Sequence, residues 1–276
     1  ATMALGGSSA DTWVLGEEPA QEAPDFDHST LVGITPTDTA LVQRERLVTS
    51  RAAENLFWLG RYTERAENAT RLARIVLQSL HGEEEPSIGH LMWIGQLAES
   101  AGLVPDDCPS PLDDRVEFER QLIGALGDTE DTPSVGYTLR NLRQAGSALR
   151  ERLSPEHWNF IKQAEENFLR EARRLRDDGG QGADALQQLA AVSRALSAIT
   201  GAQHDRMWRD DGWRLLSAGR QIERLTYLSE ALSRGFYTNA VHDAAGFGVV
   251  LDLFDSTISF HARYQPSRAI AALIEP

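Results

Sequence analysis

The sequence predicts an all-α protein, an antiparallel multi-helix bundle with two long pseudo-twofold related helices and an extended acidic N-terminal tail. Three observations carry this. Gly60-Arg61-Tyr62-Thr63-Glu64-Arg65 returns as Gly219-Arg220-Gln221-Ile222-Glu223-Arg224, and both copies lie inside long helical patterns. Helical stretches follow one another with breaks of only a few residues, which favours antiparallel neighbours. Strand signals nearly vanish after Val14.

Taken in order, residues 1–43 differ from the rest. They combine Gly6-Gly7-Ser8-Ser9 with Pro19, Pro24, Pro36 and seven acids, and contain no Lys or Arg. Such a composition reads as a linker or docking tail, with one strand-like run at Asp11-Thr12-Trp13-Val14-Leu15. A helix is expected from Ser50, its N-cap, to His81, where Gly82 and Pro86 stop it. Further helices are expected over 87–101, 112–126 and 134–153. Ser154-Pro155 then caps and opens one over 155–177. After the break at Asp177-Asp178-Gly179-Gly180 come 183–200, 211–234 and 240–262, with a shorter helix after Pro266. The division that follows is a tail over 1–49 and a helical domain over 50–276.

Composition narrows the function classes. With 276 residues and 41% hydrophobic content the chain can bury a sizeable core. Its formal charge of -14 makes nucleic acid or an anionic membrane a poor partner. No run approaches the ~18 to 20 apolar residues of a membrane span, so a cytoplasmic location is expected. Cys108, the only cysteine, excludes an intrachain disulfide framework. The histidines show no i,i+3 or i,i+4 pair, and there is no P-loop, G-x-G-x-x-G or G-x-S-x-G; no metal and no cofactor is expected in this chain.

The repeat is the informative feature. At 100° per residue, Trp58, Tyr62, Ala66, Leu72 and Val76 form one apolar stripe of the first helix, with Gly60, Glu64, Glu67, Asn68 and Arg71 opposite. Glu54 and Arg65 fall within or beside the stripe, about 16 Å apart along the axis, and each needs a partner from another helix. If the helices cross at Gly60 and Gly219, Arg61 meets Glu223 while Arg220 meets Glu64. Two readings stay open. Such pairs hold bundles in register, but guanidinium groups in an interior also grip a carboxylate or phosphate bidentately. In the second reading the cleft is lined by Glu54, Arg61, Glu64, Arg65, Asp211, Arg220, Glu223, Arg224 and Arg263, with Glu64 or Glu223 as proton acceptor. Between His204 and Trp213, the acids, bases and tryptophans read either as a rim beside this cleft or as an Asp N-cap with aromatic anchors.

Ser50-Arg51-Ala52-Ala53-Glu54-Asn55-Leu56-Phe57-Trp58-Leu59-Gly60-Arg61-Tyr62-Thr63-Glu64-Arg65-Ala66-Glu67-Asn68 closely resembles the opening of the bacterial alpha-E domain family, a domain of unknown function. Arg209-Asp210-Asp211-Gly212-Trp213 leading into the second repeat, and Asp255-Ser256-Thr257 through Tyr264, resemble two later family elements, with Phe260 and His261 in place of Tyr and Arg. The resemblance covers about 50–265. It implies a helical domain encoded beside or fused to a circularly permuted ATP-grasp protein and a transglutaminase-like protein. The role so implied is accessory to an ATP-dependent carboxylate-amine ligase that forms amide or peptide bonds. Residues 5–15 resemble the end of such an ATP-grasp domain, to which ATP and Mg would belong. The resemblance also implies that the family pattern continues past Pro276.

Overall fold

The computed structural model describes residues 48–82, 85–130, 133–264 and 270–273. The strand-like run at 11–15, and the tail expected over 1–49 up to residue 47, lie outside these residues. All regular structure among them is helical: α1 (Ser50–Leu80), α2 (Ile88–Ser100), α3 (Arg115–Ala125), α4 (Val135–Ser147), α5 (Pro155–Asp177), α6 (Gly182–Asp205), α7 (Asp211–Tyr237), α8 (Ala244–Leu253) and α9 (Thr257–Tyr264), with short 3-10 turns at Ala240–His242 and Ile270–Leu273.

Local chemistry sets most boundaries. The Ser154 hydroxyl accepts the His157 amide at 3.1 Å and Pro155 opens α5, where its missing N–H costs nothing. Asp210 caps α7 through the Trp213 amide at 3.0 Å. The cap of α1 is Thr49 rather than Ser50, its hydroxyl accepting the Ala52 amide at 3.2 Å. Two longer expectations are corrected. The helix expected over 134–153 ends at Ser147 and continues as turns. The one expected over 240–262 is three pieces: Asp243, in extended backbone, ends the turn at 240–242 and caps α8, and Asp255, at a left-handed φ of 52°, separates α8 from α9. In the other direction, α6 runs past 200 to Asp205.

α1 is the hub, and packs against α7, α4 and α6, while α5 lies against α6 and α4. It is buried on nearly all sides: Gly60, Thr63, Glu64 and Asn68 are buried along with Leu59, Leu72 and Val76. The polar side of α1 meets α7 rather than water. The largest buried side chains of the core, Trp93, Phe118, Leu56, Leu59 and Leu72, come from α1, α2 and α3. Trp93 also donates its indole N–H to the Ala231 carbonyl at 2.9 Å, tying α2 to α7.

α1 and α7 run parallel. Residues 56, 60 and 64 of one meet 212, 216 and 220 of the other in the same order. A Cβ on Gly60 would stand 2.0 Å from the Leu216 carbonyl oxygen, and one on Gly219 would stand 2.2 Å from that of Phe57. Only hydrogen fits at either place. The two glycines therefore bring the backbones into direct contact in one register.

Candidate functional site

Where the glycines meet, the charges of the repeat cross between helices. Glu64 accepts from Arg224 Nε at 2.7 Å and Nη2 at 3.0 Å, and from Arg220 Nη2 at 3.1 Å. Glu223 accepts from Arg61 Nε at 2.7 Å, from Arg65 Nε at 2.6 Å and from Arg65 Nη2 at 3.0 Å. Each glutamate is thus held by both arginines of the opposite copy. All four arginines and both glutamates of the two G-R-x-x-E-R segments are engaged in this exchange.

The two halves differ in surroundings. The Glu64 side chain is 1% exposed and that of Arg220 8%, and Arg220 also reaches Glu67 at 3.1 Å. Glu67 in turn accepts from the Thr200 hydroxyl of α6. Burial pushes the Glu67 carboxyl above its ordinary range, against the pull of Arg220. Arg220 Nη1 is buried without a partner. Around Glu223 the shell is more open and aromatic. Arg61 lies over Trp58 at 5.3 Å and Arg65 over Tyr62 at 5.6 Å, and the two rings stack at 5.5 Å. Burial would raise the Glu223 carboxyl, but Arg65 and Arg61 outweigh it and hold it below the usual range. Burial likewise opposes the charge on Arg65, and Glu223 overcomes it and raises the guanidinium.

Three expected members lie elsewhere. Glu54 is exposed in the second turn of α1 and pairs with nothing among the described residues, because its turn precedes the crossing. Asp211 is exposed and pairs with Arg214 on its own helix at 3.1 Å; its neighbour Asp210 is the inward one, capping α7 and accepting from Arg152 at 2.8 Å. Arg263 is exposed on α9, its guanidinium 5.3 Å from the Tyr264 ring, in the small cluster around Phe247 and Phe260. The His204 region splits: Trp213 anchors through its indole to the Gln203 carbonyl at 3.1 Å, whereas Trp208 is 86% exposed. Glu67 entered the sequence reading only as a residue of a polar face; its pairing needed α6 and α7 to be placed first.

Proton acceptance by Glu64 or Glu223 does not suit this geometry. Both oxygens of each carboxylate already accept from guanidinium groups, which compete with a substrate for the same atoms. Among the described residues no group of three or more His, Cys, Asp or Glu is placed to hold a metal ion. No helix there is long and apolar enough to cross a membrane.

The family Alpha-E, described as a predicted alpha-helical domain with a conserved ER motif, matches residues 48–275. The chain is similar to the uncharacterized protein Rv2567 of Mycobacterium tuberculosis, 26% identical over 245 residues that cover 82% of this chain and 27% of that protein. The uncharacterized protein Mb2597 of Mycobacterium bovis matches with the same identity and coverage. The chain thus spans about a quarter of the length of these curated relatives, 27%. No solved structure matches. Of the Glu-Arg steps in the described residues, 64–65 and 223–224 are the two whose side chains exchange ion pairs across the helix crossing.

Proposed function

The chain belongs to the Alpha-E family, and from that premise we propose that it is a non-catalytic helical module of an ATP-grasp amide- or peptide-ligase system. It docks the ligase, or the ligase's acceptor substrate, while its double G-R-x-x-E-R acts as an internal clasp. The observation that carries the non-catalytic half is that both oxygens of Glu64 and of Glu223 are engaged by facing arginines. The ligase half rests on the resemblance of the first motif and on the expected neighbours, a circularly permuted ATP-grasp domain and a transglutaminase-like protein. ATP and Mg would be bound by that ATP-grasp partner. Glu64 and Glu223 are poor candidates to hold Mg, since guanidinium groups occupy both carboxylates.

The test is ATP-dependent amide formation by the ATP-grasp partner, with and without this chain. The chain alone is expected to turn over no ATP, and its addition to lower the partner's KM for the acceptor or raise its kcat. A folded Glu223→Gln variant should keep that effect. Loss of the effect in a variant of unchanged Tm would return Glu223 to a direct role. The runner-up is a purely structural docking or dimerisation scaffold. It is favoured by the same clasp and by exposed Ile222 and Leu225 on α7, and it predicts no change in the partner's kinetics.

A further inference from the structure

α7 carries a second pattern on the side turned away from the clasp. Its main neighbours among the described residues are α1, then α2, the turn at Ala240–His242 and α8, and its buried residues from Gly212 to Gly235 lie on one side. On the opposite side Leu215, Ala218, Ile222, Leu225, Ser229 and Leu232 follow one another at alternating steps of three and four, the spacing of a seam that faces another helix. Ile222 and Leu225 at its centre are 46% and 69% exposed. Ala218 and Ser229 are exposed, and Leu215 and Leu232 are partly buried.

Charge is missing from this stripe. Between Leu215 and Leu232 the charged residues of α7 are Arg220, Glu223, Arg224 and Glu230. The first three bond to α1, and Glu230 stands on the same side and pairs with Arg234. A helix face left to water ordinarily takes the charges. Here they go inward and the apolar stripe goes outward, as at the centre of an interface.

The order of side-chain sizes identifies the occupant. The stripe reads large, small, large from either end, so two copies laid antiparallel match one another. Leu215 of one copy meets Leu232 of the other, Ala218 meets Ser229, and Ile222 meets Leu225. Each pairing recurs across the twofold, as an isologous contact requires. No charge of the seam meets a like charge, and opposed helix dipoles favour the antiparallel sense. We propose that α7 pairs antiparallel with α7 of a second copy of this chain, about a twofold axis between Ile222 and Leu225. Such a pair is the dimerisation alternative given a partner and a register, and it rests on that alternative rather than on a ligase. A seam about 26 Å long lies at the small end of specific interfaces, so dimers are expected at micromolar rather than nanomolar concentration.

Sedimentation velocity of the full chain up to about 200 µM should show a reversible monomer–dimer equilibrium. Leu225→Glu puts a charge at the centre of the seam, on a side chain already exposed. It should weaken association at least about 100-fold and leave helix content and the Tm of dilute protein unchanged. Disulfide cross-linking in a Cys108→Ser background reads the orientation. An equimolar mixture of Ala218→Cys and Ser229→Cys proteins should cross-link to each other, and neither to itself. Like positions lie about 16 Å apart in the antiparallel pair and touch in a parallel one. The proposal is overturned by a chain monomeric throughout, by Leu225→Glu dimers as tight as the unaltered ones, or by any cross-linking other than the mixed kind. Self-association and the ligase partner's kinetics are separate readouts, so a monomer sinks the α7 pair and leaves the accessory role to be decided by those kinetics.

Discussion

The two halves of the clasp are written in nearly the same residues but sit in different media. Glu64 and Arg220 are enclosed by α1, α6 and α7, with Glu67 and Thr200 closing the network. Glu223 and Arg65 have side chains 11% and 33% exposed and are covered in part by Tyr62 and Trp58. The lesson is that a repeated motif fixes which atoms meet, whereas the neighbouring helices decide what each meeting contributes. A buried ion pair is costly to break because the surviving charge cannot be solvated. A partly exposed one lets water replace the missing partner.

The sharpest way to break this comparison is to remove one carboxylate at a time. Glu64→Gln strands Arg220 beside a partner that cannot neutralise it, and should lower unfolding free energy by about 3–5 kcal/mol. Glu223→Gln should cost about 2 kcal/mol, with Arg61 and Arg65 turning outward. Urea denaturation of both variants tests the asymmetry; equal losses would end it.

The glycines should behave alike, since each faces a carbonyl of a packed helix. Gly60→Ala and Gly219→Ala would each cost about 3 kcal/mol as the backbones part. Thermal denaturation distinguishes this from a loss confined to one half.

Acid titration sharpens the contrast once His157 is accounted for. Its ring is fully buried with neither nitrogen bonded, and burial holds its pKa down to about 4 from an ordinary 6.5. The unfolded chain takes up this proton below pH 6.5 and the folded chain refuses it until about 4. Stability is therefore full above that window and falls by about 3 kcal/mol as pH drops through it. His157→Leu should flatten this slope. In that background Glu223, whose carboxyl is depressed, contributes stability above its unfolded pKa that disappears as pH falls through the folded one. Glu67, raised by burial, acts with the opposite sign. Comparing the His157→Leu protein with its Glu223→Gln derivative between pH 6 and 3 isolates the first of these contributions.

The smallest effect is expected at the rim. Arg61→Ala removes one of two guanidinium groups from Glu223 at a partly exposed site and leaves Arg65 in place, and should cost about 1 kcal/mol in the same urea assay.

Much of the fold was legible in the sequence, because its signals are local. Ser154-Pro155 and Asp210 announce helix starts by chemistry that needs no other part of the chain. The clasp was legible for a different reason: the spacing of glycine, arginine and glutamate repeats, so a contact between copies satisfies both at once. The burial of Asn68 was not legible, because periodicity reports polarity and not which helix covers it. Asp255 was missed since an aspartate in left-handed backbone carries no Gly or Pro to mark it. Placing Glu54, Asp211 and Arg263 in the cleft failed because sharing a motif neighbourhood is not sharing a turn.

The meeting of residues 57–67 with 216–224 also closes a circuit through nearly the whole chain. Five helices lie between the two segments, so α7 can dock only after a long stretch has been gathered, a late and entropically expensive event in folding. The same closure means that a single proteolytic cut in the exposed turn at Asp178-Gly179 should not separate the protein into pieces under native conditions. Its two fragments would remain fastened and part only in denaturant.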